Sequence, residues 1–373
     1  MRDLKEIAKL FLKLGIIGFG GPAAHIAMMQ DEVVVKRKWL SEQEFLDMIG
    51  ATNLIPGPNS TEMAIHIGHE RGGWRGLIVA GLCFILPAVL ITGIFAWLYK
   101  LYGQLPEVQP FVYGIKPAII AIILGAIFPL AKKSLKSLQL IILGILVLIG
   151  ALFGISEIYL MFGAGIVALT LAYAQQGNSS KLSIFFPISL ASIQTTAIVS
   201  ATNTSLFWIF LKIGAVLYGS GYVLFAFLDT ELVVTGLLSR RELIDAIAVG
   251  QLTPGPVFSS VTFVGYQING LAGAVVSTIA IFIPSFLFVA LLNPMVKMMR
   301  NSKIFSAFLD AVNVASVALI VAVSFEMGKD AITDWRTILI AVISVAIAFG
   351  YRKVNSAFVV IGGSLMGYLL TML

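Results

Sequence analysis

Two kinds of helix-breaking cluster, each occurring twice, stand inside apolar sequence and mark where the chemistry of this chain is expected. Gly18, Gly20, Gly21 and Pro22 interrupt the first apolar run, and Gly214, Gly219 and Gly221 interrupt another near the middle of the chain. Pro56-Gly57-Pro58 and Pro254-Gly255-Pro256 form a second matched pair. Such breaks free backbone amides and carbonyls. In lipid these groups survive only where protein or a watery cavity satisfies them. Matched interruptions in two halves point to the binding site of a transporter.

The residues after each turn suggest an anion. Asn59 and Ser60 follow the first, and Ser259 follows the second; all are capping types that open a helix with free N–H donors and positive dipole character. Two such starts pointing inward form an oxyanion cradle, against the plainer reading of two turns that only shape a hairpin. Lys13 and Lys212 occupy matched positions in apolar sequence, where a cation is costly and usually functional. They are read as counter-charge for a dianion, with snorkelling toward a headgroup as the alternative. His25 is read as a proton carrier or anion donor, or else as a packing residue. Glu62 is a candidate proton site that breaks the symmetry, because Ser260 stands at its matched position. The expected substrate-binding set is therefore Gly20, Gly21, Pro56, Gly57, Pro58, Asn59, Ser60, Gly219, Gly221, Pro254, Gly255, Pro256, Ser259, Lys13, Lys212 and His25.

The elements that carry these residues belong in a bilayer. Hydrophobic residues make up 58% of the chain and charged ones 12%, and the mean hydropathy is +0.96. A soluble fold cannot cover so much apolar surface, whereas runs of about 20 apolar residues are what a membrane helix needs. Leu77 to Tyr99 and Leu138 to Ile155 are two such runs. The basic start of the chain superficially suits a signal peptide, but its apolar run carries Lys13, lacks a small-residue cleavage site and is expected to remain as the first membrane helix.

The chain is duplicated. FLKLG at Phe11 recurs as FLKIG at Phe210, and LSEQEFLDMIGATNLIPGP from Leu40 matches LSRRELIDAIAVGQLTPGP from Leu238. Downstream, Gly68, Gly73, Gly76, Pro87 and Lys116 fall on Gly265, Gly270, Gly273, Pro284 and Asn313. Short cytoplasmic loops carry excess Lys and Arg, and the matched loops disagree in charge. Lys100 to Glu107 is balanced where its counterpart has Lys297, Arg300 and Lys303; Lys132, Lys133 and Lys136 are basic where their counterpart is mixed. Glu157 likewise faces Arg352 and Lys353 across the repeat. The expected fold is an all-α polytopic membrane protein with two homologous halves as an inverted repeat. It has about ten spans plus two broken or re-entrant PGP hairpins. The expected units are residues 1–175, a linker with a possible extra span at 176–204, and residues 205–373.

Enzymatic chemistry finds little support in the sequence. There are three histidines and one cysteine, with no HExxH pattern and no phosphate-binding GxxxxGK[ST] loop. No metal or cofactor is expected. The net charge of +6 is spread over loops, which suits topology rather than nucleic acid. The expected partners are a small oxyanion, the lipid bilayer and a possible second copy in a homodimer.

At these residues the chain resembles the chromate ion transporter family, in its two-domain form. GFGGPAAH with Trp39, IPGPNSTEMAIHIG and the RGLIVAG-to-Pro87 stretch look like its N-terminal signature. YGSGYV, QLTPGPVFSSVTFVGY and IFIPSF look like its C-terminal one. The resemblance implies a secondary transporter in the bacterial or archaeal cell membrane that exports chromate, with sulfate as its mimic, driven by voltage or a proton gradient. The alternatives are an anion channel and a non-transporting membrane scaffold or sensor.

Overall fold

The computed structural model describes residues 2–19, 21–175, 201–292, 303–350 and 354–372. Gly20 and the expected extra span after the linker lie outside the described residues. The first half comprises α1 (Arg2–Ile17), α2 (Gly21–Gln30), a π-helical turn (Asp31–Lys36), α3 (Glu42–Thr52), α4 (Asn59–Tyr102), α5 (Gln109–Ser134), α6 (Leu138–Leu152) and α7 (Glu157–Gln175). The second half repeats the order with α8 (Asn203–Val216), α9 (Val223–Leu228), a π turn (Asp229–Val233), α10 (Arg240–Leu252) and α11 (Ser260–Leu292). It ends with α12 (Lys303–Ala331), α13 (Trp335–Gly350) and α14 (Ser356–Met372).

The PGP segments dip into the protein and return. In α4, Gly72 and Gly73 leave helical geometry, Gly73 at φ +57°, and Gly68 packs against the Gly76 carbonyl and Ala80 Cβ. In a straight helix those residues stand ~12 and ~18 Å away along the axis, so the contact requires two antiparallel arms. Residues 59–71 form a short inner arm and residues 74–102 a full span. The second half reverses in the same way at Asn269 and Gly270 (φ +61°), with Gly265 against the Gly273 carbonyl. Each inner arm pairs with the helix before it, α3 or α10. Both of these begin with the same capping box, Ser41 with Glu44 and Ser239 with Glu242, which satisfies orphan amides at each entrance.

The contacts fix direction through the membrane. Leu4 and Ile7 meet Gly72, whereas Gly15 meets Phe84 and Pro87, so α1 runs alongside the long arm of α4 and stops at its middle. The α1 start, the Gly72–Gly73 reversal and the α5–α6 junction share one face. Arg71, Lys132, Lys133 and Lys136 belong to these segments, and Arg37 and Arg71 both stand over the Trp39 ring, which brings Lys36, Arg37 and Lys38 to the same face, called the basic face below. The second half enters from the other side. Asn269 donates to Asn203 at 2.8 Å, and Gln267 donates to the Ala96 carbonyl at 3.0 Å near the far end of α4. Helix α12 is tied to the basic face by Lys136–Asp310 at 2.7 Å, and Tyr113 donates to Asp334, beyond its other end, at 2.6 Å. The two halves are inverted.

Exposed leucines and isoleucines on α6 and α14, such as Leu138, Leu146 and Leu365, form the lipid-facing surface. The enclosed helix is α12, 78% of whose apolar window is buried. Every arm that carries a break packs around it or around α4 and α11.

Candidate functional site

The broken segments of the two halves meet tip to tip. The Gly57 amide donates to the Leu217 carbonyl at 2.8 Å, and the Gly255 amide donates to the Gly18 carbonyl at 2.8 Å. Leu217 occupies the position in the second half that Gly18 occupies in the first, so one hydrogen bond is made twice under the pseudo-twofold axis. Both turns need glycine. Gly57 has φ +133° and Gly255 φ +89°, and a Cβ at Gly255 would stand 2.8 Å from the Ala88 Cβ. Pro56, Pro58, Pro254 and Pro256 are buried around these turns, as are Ser60 and Ser259.

A vestibule of about 1000 Å³ opens from the basic face toward the glycine breaks. Its lining includes Gly21 at the start of α2, Gly219 and Gly221 before α9, and Asn59 at the start of α4. Helix starts from both halves therefore face one aqueous space. Asn59 donates its side-chain amide to Asn53 at 2.9 Å, and Asn53 lines the same space. Asn313 and Ser316 of α12 reach the break at Gly219, each about 3.2 Å from where its Cβ would stand. Ser316 also donates to the Tyr218 carbonyl at 3.0 Å, fixing that turn. Lys133 and Lys136 stand in the lining, and the acid there, Asp310, is neutralised by Lys136.

The sequence-predicted residues thus divide. Gly21, Asn59, Gly219 and Gly221 come together at the vestibule, while the PGP turns and Ser259 are buried and hold the halves against each other. His25 is 1% exposed, bonds the Gly18 carbonyl through Nε2 at 2.8 Å and stands edge-on to Phe84. It braces the tip that Gly255 grips. Lys13 pairs with Glu32 at 2.8 Å and Lys212 with Glu231 at 2.6 Å, each linking the first helix of its half to the π turn that follows. Sequence reasoning missed Asn53, Asn313 and Ser316 as lining residues. A signal existed for Asn313, since it aligns with Lys116 and both are polar inside apolar helices.

At the opposite end of α5 a smaller depression of about 340 Å³ is lined by Gln109, Tyr113, Lys116 and Arg241. Asp334 beside it is held below the usual carboxylate range, first by the Tyr113 hydroxyl and then by the Thr337 and Arg336 amides. Between the two mouths, Ala118 to Ala121 of α5 are all buried. Among the described residues no cluster of three His, Cys, Asp or Glu side chains is placed to hold a metal.

Inverted halves and helix starts converging on a watery space define a multi-pass membrane transport protein. The chain belongs to the chromate transporter family, whose pattern it matches over residues 5–169 and again over 204–368. It is 30% identical to the chromate transport protein of Cupriavidus metallidurans, over 98% of this chain and 92% of that one. It is 32% identical to a probable chromate transport protein of Synechococcus elongatus, over 92% and 89% of the two chains. With the chromate transport protein of Pseudomonas aeruginosa it shares 28% identity over 96% and 90%. No solved structure matches it.

Proposed function

We propose that this chain exports chromate from the cell, accepting it in the vestibule and releasing it through the depression at the other end of α5. The observation that carries this reading is the vestibule itself. It opens on the face richer in Lys and Arg, which the positive-inside rule makes cytoplasmic. It ends at helix starts and side-chain amides suited to a tetrahedral oxyanion. Residues 1–175 and 205–373 are the two transport units, joined by 176–204.

The substrate site in this reading comprises Gly21, Asn59, Gly219, Gly221 and Asn313. The PGP turns and His25 hold the hairpin tips, and Lys13 and Lys212 anchor the hairpins from which those tips extend. Exporting a dianion from an inside-negative cell gains about 4.6 kcal/mol per 100 mV, twice the single-charge value. Voltage alone therefore suffices as a drive. The buried stretch of α5 between the mouths supports a carrier rather than a channel in this reading.

The test is chromate flux in proteoliposomes under an imposed voltage. Saturable flux inhibited by sulfate is the expected result. Absence of chromate flux from folded protein would overturn the substrate, and non-saturating flux would favour a channel.

A further inference from the structure

The two hairpin tips are alike in backbone and unlike in chemistry. Glu62, one turn beyond the first PGP, is 0% exposed, and neither carboxylate oxygen has a hydrogen-bond partner. One of its oxygens and the Ser285 hydroxyl crowd the place where a Cβ of Gly57 would stand. Ser285 is also fully buried, with its hydroxyl unpartnered. At the second tip the matched residues are Ser260 and Ala88. There Ser260 turns its hydroxyl onto the Val257 carbonyl at 2.8 Å, and Ala88 presents a methyl group to Gly255. A carboxyl facing a hydroxyl has thus been placed at one tip only.

We propose that Glu62 is a proton-binding site, one per molecule, whose loading and release are tied to the closing and parting of the first hairpin tip. An ionised carboxylate in this closed position would lack a counter-ion and have at most the Ser285 hydroxyl as a donor, which burial makes prohibitive. With the tips closed Glu62 therefore carries its proton. When the Gly57–Leu217 bond opens to the aqueous vestibule, water reaches the carboxyl and the proton leaves. The groups that face Glu62 are Ser285 from α11 and Tyr218 from the turn before α9, which is within electrostatic reach. His66 lies one turn along on the inner arm itself. None of the described lysines or arginines forms a salt bridge with it. The proton site deepens the export reading by adding a second ion, yet it can be observed without any anion.

The test uses the full chain in lipid. Difference infrared spectra recorded across a pH titration should show a protonated carboxyl C=O band in wild type that is missing in Glu62→Gln. A Glu62→Asp variant should show the band displaced. In proteoliposomes at zero voltage, a pH gradient should change chromate flux at least several-fold in wild type and leave Glu62→Gln indifferent. An unchanged infrared band in the Gln variant overturns the site. Wild-type flux indifferent to the gradient overturns the coupling. A band present with no chromate flux leaves the proton site standing and overturns the substrate reading alone. Melting curves of each variant show that it is folded.

Discussion

The Gly255 amide and the Gly18 carbonyl, 237 positions apart in the chain numbering, are joined by a 2.8 Å hydrogen bond that ties the second PGP turn to the first glycine break. Its mirror bond, Gly57 to Leu217, leaves no room for a side chain. Gly57→Ala should therefore suffer twice. Backbone strain of about 1–3 kcal/mol at positive φ is joined by ~1–3 kcal/mol of overpacking against Glu62 and Ser285. Gly21→Ala has φ +77° but nothing within 4 Å of its Cβ, so it bears the strain alone. Thermal melting in detergent should place Gly57→Ala clearly below Gly21→Ala, and equal melting would contradict the tip contact.

The two lysine pairs make a comparison inside one molecule. Glu32 keeps Arg37 at 3.1 Å and Lys36 at 3.4 Å when Lys13 is removed, whereas Lys212 is the described ion-pair partner of Glu231. Lys212→Met should lower the melting temperature more than Lys13→Met. Neither should change the substrate KM, since both lysines already serve glutamates. A tenfold rise in KM for either would return that lysine to the binding site.

Asn313 reaches the break at Gly219 from the enclosed α12, beside Ser316. A hydrogen bond to a charged group contributes about 1.5–3 kcal/mol, so Asn313→Ala should raise KM for the anion roughly ten- to a hundred-fold. Melting should be little altered. An unchanged KM would remove Asn313 from the site.

Sidedness is testable with the single cysteine, Cys83, replaced by serine. Lys133→Cys should react with an impermeant thiol reagent in inside-out vesicles and not in intact cells, and Gln109→Cys should do the reverse. The opposite pattern would turn the vestibule outward and remove the observation that carries the export reading.

At the smaller mouth, the sign of the pH dependence follows from Asp334. Its folded-state carboxyl lies below the ordinary range, so its contribution is present above the unfolded value and fades as pH falls through the folded one. Tyr113→Phe should lower the melting temperature at neutral pH, with the difference from wild type shrinking in acid. A constant difference would mean that the hydroxyl acts through packing instead.

Much of this was legible because duplication writes each structural requirement twice. The PGP turns and the paired glycines read as breaks, and the loop charges read as inversion, because neither depends on knowing which residues touch. Lys13 and Lys212 were different. Their partners, Glu32 and Glu231, are brought back to them by the chain reversal at the glycine break, and the angle of that reversal is set by packing against α4 and α11. The same reversal turns His25 inward onto Gly18. The vestibule residues of α12 were hidden because one Asn in an apolar helix does not say which of its neighbours will stand back from it.

The reciprocal bonds between the tips also bear on descent. Each half supplies one donor and one acceptor, so two separate copies of a single half, inserted in opposite directions, would make the same pair of bonds as an isologous dimer. In that arrangement every substitution would appear on both sides of the axis. Joining the copies in one chain removes that constraint, and Glu62 opposite Ser260, with Ser285 opposite Ala88, is a difference that two identical copies could not keep.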